Sequence, residues 1–273
     1  MTSPFKVLDL FSGIGGFSLG LEATGGFETA AFCEICPKAR KVLKKHWADV
    51  PIYEDVKNIT LNNLTNDGIE FDVVTAGFPC QDISQSNVNG EGINGKRSGL
   101  WQEVARIIRD AKPSWAILEN VPAIRSRGFE QIIYELDECG YMGEWYIIPA
   151  SAIGAYHRRQ RMYLIAYPYS YASTSIRRTP FIQRYVLEKT QRGEAPNGFI
   201  FNDSGSITRG RLNHWTAEQW AYQTPRCRMV DGLPRGLDKD RLKQLGNSLV
   251  PQIPELIGNA ILEVEHGCFT GQE

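Results

Sequence analysis

Hydrophobic and polar positions along this chain follow two rhythms in turn. Short β-branched or aromatic runs at Phe5–Leu10, Phe27–Cys33, Phe71–Ala76, Trp115–Leu118, Glu144–Ile148 and Arg161–Ala166 read as strands. Between them, Phe17–Ala23, Pro37–Trp47, Gly99–Ala111 and Phe129–Cys139 repeat apolar residues at helical spacing. Pro37 stands at a helix start, where its missing N–H costs nothing. Strands separated by helical stretches predict parallel strands joined by helical crossovers. The fold class is therefore α/β, a doubly wound sheet whose ligands bind at the carboxyl ends of the strands.

After Ala166 the rhythm is lost. Tyr167–Asp238 is rich in Tyr, Arg, Gly, Pro and Thr and sustains neither period. Regularity returns at Pro251–Glu265, where Ile253, Leu256, Ile257, Ala260, Ile261 and Val264 recur at helical spacing. The predicted organisation is a discontinuous core, residues 1–166 plus 240–273, with a small irregular domain, 167–239, inserted before the C-terminal helix.

Composition narrows the class. With 273 residues and 42% hydrophobic side chains the chain can bury a sizeable core, which excludes collagenous, coiled-coil and disordered readings. Six cysteines in a chain of this size, with no charged-then-apolar signal pattern at the N-terminus, predict free thiols in a reducing cytoplasm rather than a disulfide framework. No apolar run approaches the ~20 residues needed to span a bilayer, so no membrane partner is expected. Cys33 and Cys36 have metal-ligand spacing, but no second pair accompanies them and no metal is expected.

A net charge of −1 speaks at first against a nucleic-acid partner. Its distribution speaks otherwise. Residues 1–150 carry 14 Lys and Arg against 20 Asp and Glu, residues 151–243 carry 16 against 7, and residues 244–273 carry none against 4. The basic block, with a balance of +9 and 13 arginines among its cations, suits phosphates and guanine edges, or else a solvated basic face.

Three motifs follow strand ends. Asp9-Leu10-Phe11-Ser12-Gly13-Ile14-Gly15-Gly16-Phe17 places glycines where backbone can approach a ligand and a helix N-terminus offers free N–H groups. It is neither a G-x-G-x-x-G nor a P-loop, so it fits a cofactor without pyrophosphate, or a plain tight turn. Glu34 after the second strand is placed for a ribose hydroxyl pair, and Asp55 for an adenine amino group; each is equally a surface charge or helix cap. Gly77-Phe78-Pro79-Cys80-Gln81 then sets a cysteine at a strand's carboxyl end, placed like a nucleophile or else a small buried hydrophobe. Glu119-Asn120-Val121 ends the next strand, so in a parallel sheet Glu119 emerges on the same edge as Cys80.

With those motifs in order, the chain resembles the cytosine-C5 DNA methyltransferase family, which uses S-adenosylmethionine. The resemblance rests on Phe11-Ser12-Gly13-Ile14-Gly15-Gly16, Gly77-Phe78-Pro79-Cys80-Gln81, Arg97-Ser98-Gly99-Leu100, Glu119-Asn120-Val121, Arg158-Arg159-Gln160-Arg161 and Gly246-Asn247-Ser248. It implies a Rossmann-like methyltransferase sheet whose inserted domain recognises the target. It also implies a mechanism, in which Cys80 adds to cytosine C6, Glu119 hydrogen-bonds or protonates N3, and Arg159 and Arg161 form an arginine pair with Arg159 at the base's O2. The target base has to be flipped from the duplex to be reached.

Carried onto the cofactor, the resemblance assigns Phe11 to the adenine or sulfonium region, Ser12, Gly13, Ile14, Gly15 and Gly16 to the loop around it, and Glu34 to the ribose. Ile35, Asp55 and Val56 fall beside the adenine, Gly77, Pro79 and Leu100 on the methionine side, and Asn247 and Ser248 close the pocket. For DNA it assigns Gln81, Ser84 and Arg97 of a catalytic loop with hinges at Gly90, Gly92 and Gly95, and Arg177, Arg178, Arg209 and Arg211 of the basic block. The implied partner is double-stranded DNA, bound by a monomer, with a restriction endonuclease as a functional counterpart. Two departures stand out: His157 replaces the more usual Gln, and Trp220–Arg226 matches poorly the block that ordinarily precedes Gly-Asn. The competing readings are cytosine methylation of tRNA and a non-catalytic binding module with the same fold.

Neutralising Arg177, Arg178, Arg209 and Arg211 together is expected to weaken DNA binding and flatten its salt dependence by about one unit of log–log slope per arginine, leaving cofactor binding unchanged. Fluorescence anisotropy across a salt series measures both, and an unchanged slope would refute the charge argument.

Overall fold

The computed structural model describes residues 3–79, 99–126, 128–153, 155, 158–173, 185, 199–201, 207–209, 227–228, 233–234 and 248–266. Seven strands form one sheet: β1 (Phe5–Leu10), β2 (Phe27–Cys33), β3 (Ile52–Tyr53), β4 (Val73–Ala76), β5 (Trp115–Asn120), β6 (Tyr141–Pro149) and β7 (Gln160–Pro168). Their order is β3-β2-β1-β4-β5-β7-β6. Strands β1 to β5 pair in parallel, and the order reverses between β1 and β4, which is where a doubly wound sheet opens a crevice.

The last pair departs from the expected crossovers. β7 runs antiparallel to both β5 and β6. Only a short 3₁₀ turn, Ala150–Ile153, and a few further residues separate β6 from β7, too little for the dozen or more residues that a parallel return requires. The reversal has a useful result: the start of β7 lies at the same sheet edge as the end of β5.

Side chains alternate along each strand into two cores. Leu8, Leu10, Val74, Ala76, Leu118 and Leu164 belong to one, which helices α3 (Leu61–Asn66), α4 (Leu100–Ala111) and α5 (Phe129–Glu138) help to cover. Val7, Val73, Trp115, Ile117, Tyr163 and Ile165 belong to the other, covered by α1 (Gly16–Ala23) and α6 (Gln252–Glu265). α2 (Pro37–His46) packs beside α1, with Trp47 edge-on to Phe32 at 5.2 Å and its indole N–H donating to Glu22 at 2.9 Å. The expected return of the C-terminal helix to the core is seen. α6 lies on α1, and the Trp115 indole N–H donates to Glu265 at 2.7 Å, joining its far end to the foot of β5.

Small residues set that helix contact. A Cβ on Gly20 would stand 2.0 Å from the Pro251 carbonyl, and one on Gly258 would stand 3.0 Å from Leu21. Two strand pairs, β8 (Phe199–Phe201) with β9 (Ile207–Arg209) and β10 (Cys227–Arg228) with β11 (Leu233–Pro234), are described from the expected recognition segment. Most of that segment lies outside the described residues.

Gly20→Ala is expected to destabilise the protein by at least about 2 kcal/mol, because the clash is with backbone that cannot rotate away. Urea denaturation measures it. An unchanged midpoint would mean that the close approach of Pro251 to α1 does not depend on Gly20.

Candidate active site

The site is built where β1, β4 and β5 end. Asp9 of β1 is fully buried. Its carboxylate accepts hydrogen bonds from Thr75 of β4 at 2.7 Å and from Ser18 of α1 at 3.0 Å. Its carbonyl accepts from the Ser12 hydroxyl at 2.5 Å, and that oxygen in turn accepts the Cys33 N–H at 3.2 Å. Burial pushes the Asp9 carboxyl up to about 7 against the help of those hydroxyls, with the Glu34 and Glu22 charges adding to the rise. Burial likewise pushes the Cys33 thiol up to about 12, which keeps it neutral.

The loop after β1 shows what its glycines do. Phe11 and Gly13 both adopt positive φ, 55° and 56°, the former a conformation that costs a non-glycine residue about 1 kcal/mol or more. Nothing lies within 4 Å of a Cβ on Gly13, so that glycine opens on free space. Gly15 and Gly16 serve packing instead. A Cβ on Gly15 would meet Trp47 at 2.6 Å, and one on Gly16 would meet Leu249 at 3.1 Å and the Ser248 hydroxyl at 3.2 Å. Ser12 is buried as a latch between β1 and β2, while Ile14 is half-buried.

The acids beside the loop are held in place. The Glu34 carboxylate accepts the N–H of Gly13 and the N–H of Cys36, both at 2.7 Å, so it ties the glycine loop to the start of α2. Arg40 donates to the carbonyls of Glu34 and Ile35 and pairs with Glu54 at 2.9 Å, which locks the next loop alongside. Ile35 is 68% exposed, unusual for isoleucine and suited to a ligand that would cover it. Asp55 caps the short 3₁₀ helix Val56–Asn58 by accepting the Lys57 N–H, and Val56 is buried in the core.

On the other side of the crevice, Glu119 ends β5. Its Oε1 pairs with Arg161 Nε at 2.9 Å, and its Oε2 would lie 3.4 Å from a Cβ on Gly77. Burial raises the proton affinity of this carboxyl more than Arg161 and Arg159 lower it. Tyr163, opposite Glu119 in the antiparallel register, is buried with no hydrogen-bond partner for its hydroxyl among the described residues. Asn120 donates to the Phe78 carbonyl at 3.3 Å and fixes the strand end against the Gly77-Phe78-Pro79 run. Leu100 opens α4 and packs on the same core.

Arg159 lies immediately before β7. Its Nη2 donates to the Ser248 carbonyl at 2.7 Å, whereas Arg161 is the arginine on Glu119. Of the expected site residues, Cys80, Gln81, Ser84, Arg97, Arg177, Arg178, Arg211 and Asn247 lie outside the described residues, as do Gly90, Gly92, Gly95 and His157; for Arg209 only the backbone, in β9, is described. Asp9, Ser18, Arg40 and Thr75 were not expected. Asp9 alone carried a signal, as an acid in the buried phase of an apolar strand.

A strand-end glycine loop, a buried glutamate held by arginine and a Pro-Cys sequence after β4 are the features to set beside known proteins. The family model for C-5 cytosine-specific DNA methylases matches residues 5–207. The chain belongs to that family. It is 38% identical over 169 residues to the type II methyltransferase M2.BsuMI of Bacillus subtilis (strain 168), and 37% identical over 164 residues to the type II methyltransferase M.CviJI of Paramecium bursaria Chlorella virus IL3A. Each match covers 59% of this chain, and 41% and 43% of those two proteins, so it spans less than half the length of either relative. Among solved structures, the Entamoeba histolytica methyltransferase EhMeth superposes with a TM-score of 0.60 at 17% identity, over 99% of this chain and 100% of that one. DNMT2 of Spodoptera frugiperda gives 0.59 at 16%, over 95% of this chain and 100% of that one. At such identities the likeness is one of fold.

Asp9 gives the protein's stability a measurable dependence on pH. An unfolded aspartate ionises near its ordinary value of 3.8, whereas this one keeps its proton to about 7. The stability it contributes is full below about 4, is lost as pH rises through 7, and changes no further above that. Asp9→Asn is therefore expected to gain on the wild type between pH 5 and pH 8, the difference in Tm growing by roughly 5 °C. A difference that stays flat across that range would overturn the assignment.

Proposed function

We propose that this methylase transfers a methyl group from S-adenosylmethionine to C5 of cytosine within a specific duplex DNA sequence. The observation that carries the reading is Glu119. It is a buried acid with raised proton affinity, fixed by Arg161 and set against the backbone of Gly77, three residues before Cys80.

Cytosine C5 is too weak a nucleophile to take a methyl group unaided. Cys80, as thiolate, adds to C6, while Glu119 holds a proton at N3 and so accepts the electron density that the addition pushes into the ring. Arg161 keeps Glu119 oriented for that bond. C5 then takes the methyl group as the S–CH3 bond breaks and S-adenosylhomocysteine is left behind, and loss of the C5 proton to water restores the ring and expels Cys80 as thiolate. The base is reached by flipping it from the stack at a cost of a few kcal/mol, which contacts from the basic block offset.

S-adenosylmethionine suits the residues on the β1 side and supplies, when bound, an electrophilic methyl group. The open space at Gly13, the Glu34 carboxylate and the exposed Ile35 form a cradle for a nucleoside, in surroundings whose Glu34, Glu54 and Asp55 favour a cation. Phe11, Pro79, Leu100 and Asn247 are assigned to border it, and Ser248, which stands against Gly16, to close it. Residues 1–166 with 240–273 then bind cofactor and carry the chemistry, and 167–239 read the target. The working context is a cell interior, with the enzyme acting alone on DNA and a restriction endonuclease as its functional counterpart.

Incubation with methyl-labelled S-adenosylmethionine and either duplex DNA or tRNA tests the reading. Label is expected in DNA alone, and a duplex carrying 5-fluorocytosine should trap a covalent complex. Cys80→Ser should abolish both, and Glu119→Gln should slow transfer by about 10²–10⁴-fold. Label confined to tRNA, or absent from both, would sink it.

A further inference from the structure

We propose that Arg159 is a positioning residue that acts through the C-terminal segment, holding Ser248 against the cofactor loop and so coupling cofactor retention to the acid end of the crevice. The proposal rests on the cofactor reading above and adds to it a division of labour within the arginine pair.

Arg161 lies in β7 and Arg159 stands immediately before its first residue, Gln160, so the two are close in the chain. They nonetheless end on different partners. Arg161 stays beside the sheet on Glu119 at 2.9 Å. Arg159 reaches 89 residues along the chain and donates to the Ser248 carbonyl at 2.7 Å. Its backbone sits at φ 23°, outside the regions a side-chain-bearing residue prefers. Such conformations persist only where the surroundings fix them. Here the Ala150 N–H, donating to the Arg158 carbonyl at 2.8 Å, anchors the preceding peptide.

Ser248 is a consequential carbonyl to hold. Its hydroxyl and the Leu249 side chain stand within 3.2 Å of where a Cβ on Gly16 would be, so the segment abuts the first residue of α1, next to the Gly13 opening. Three residues on, the Pro251 carbonyl meets Gly20. A segment that leads into α6 is thus clamped at its start by Arg159 and along α1 by close packing. The clamp's cation also contributes to the field at Glu119, so the element that closes the loop and the acid that handles the base share one charge. Losing the Arg159 bond frees the wall of the cofactor loop; losing the Arg161 bond leaves that wall alone and frees the acid.

The two roles separate in measurement. Calorimetric titration of S-adenosylmethionine without DNA is expected to show Arg159→Met binding about tenfold more weakly and Arg159→Lys, which keeps one donor, about threefold more weakly. Arg161→Met should bind within twofold of the wild type while its kcat on DNA falls. In turnover, Arg159→Lys should raise KM for S-adenosylmethionine more than it lowers kcat, which a purely structural defect would not do. Wild-type cofactor affinity in folded Arg159→Met, or a fall in kcat alone in Arg159→Lys, would overturn the proposal. If Arg159→Met does not fold, the Arg159→Lys split decides. Failure of the wild type itself to bind S-adenosylmethionine would instead bring down the cofactor reading beneath it.

Discussion

A carboxylate in the middle of an apolar strand cannot reach water, so its neighbours must supply every hydrogen bond it makes. Asp9, between Leu8 and Leu10, takes those bonds from Ser18 at the start of α1 and from Thr75 directly opposite on β4. One buried group therefore ties the glycine loop, the helix that follows it and the strand leading to Pro79 to a common point. Ser12 extends the tie to β2 by bonding both the Asp9 carbonyl and the Cys33 backbone. Glu34 and Arg40 continue it to the next loop. The carboxyl edge of the sheet is thus a connected polar lattice above two dry cores, and a lattice of that kind favours one geometry because each unmade bond in it would leave a buried polar group unsatisfied.

The crevice has two sides of different electrical character. On the β1 and β2 side the groups are acids that accept backbone N–H bonds. On the β5 and β7 side a single acid is flanked by two arginines, with the buried Tyr163 behind it. Gly77–Pro79 runs between them and belongs to both. The antiparallel insertion of β7 creates this second side, because it alone brings the beginning of a strand, and with it two cations, to an edge where every parallel neighbour ends.

Much of this was legible beforehand. The bounds of β1 and β2 match the expected ones to the residue, since each is a predominantly apolar run closed by turn residues. The Ile52–Tyr53 strand and the Leu61–Asn66 helix escaped notice because neither carries a period: one is two residues long, and the other buries only Leu64 and relies on a Thr60–Asn63 capping box. The direction of β7 was missed because its strand signal is indifferent to polarity; only the shortness of the connection before it tells. The packing roles of Gly15 and Gly16 depend on Trp47 and Leu249, partners far away in sequence that no local pattern names. The same limit hid the divergence of Arg159 and Arg161, which look like equals in a motif and are separated by a contact 89 residues away.

The docking of α6 has a consequence for how this protein can vary. The segment between β7 and α6 has both its ends fixed by the core, one by sheet pairing and the other by the Arg159 bond to Ser248 and the packing of Pro251 on Gly20. Closing a loop becomes only slightly harder as it grows, by about 0.6 kcal/mol for each doubling of its length. Residues can therefore be gained, lost or exchanged in that stretch at little risk to the sheet, the cores or the crevice. An architecture that anchors both ends in this way keeps its core constant while leaving the intervening segment open to rapid change.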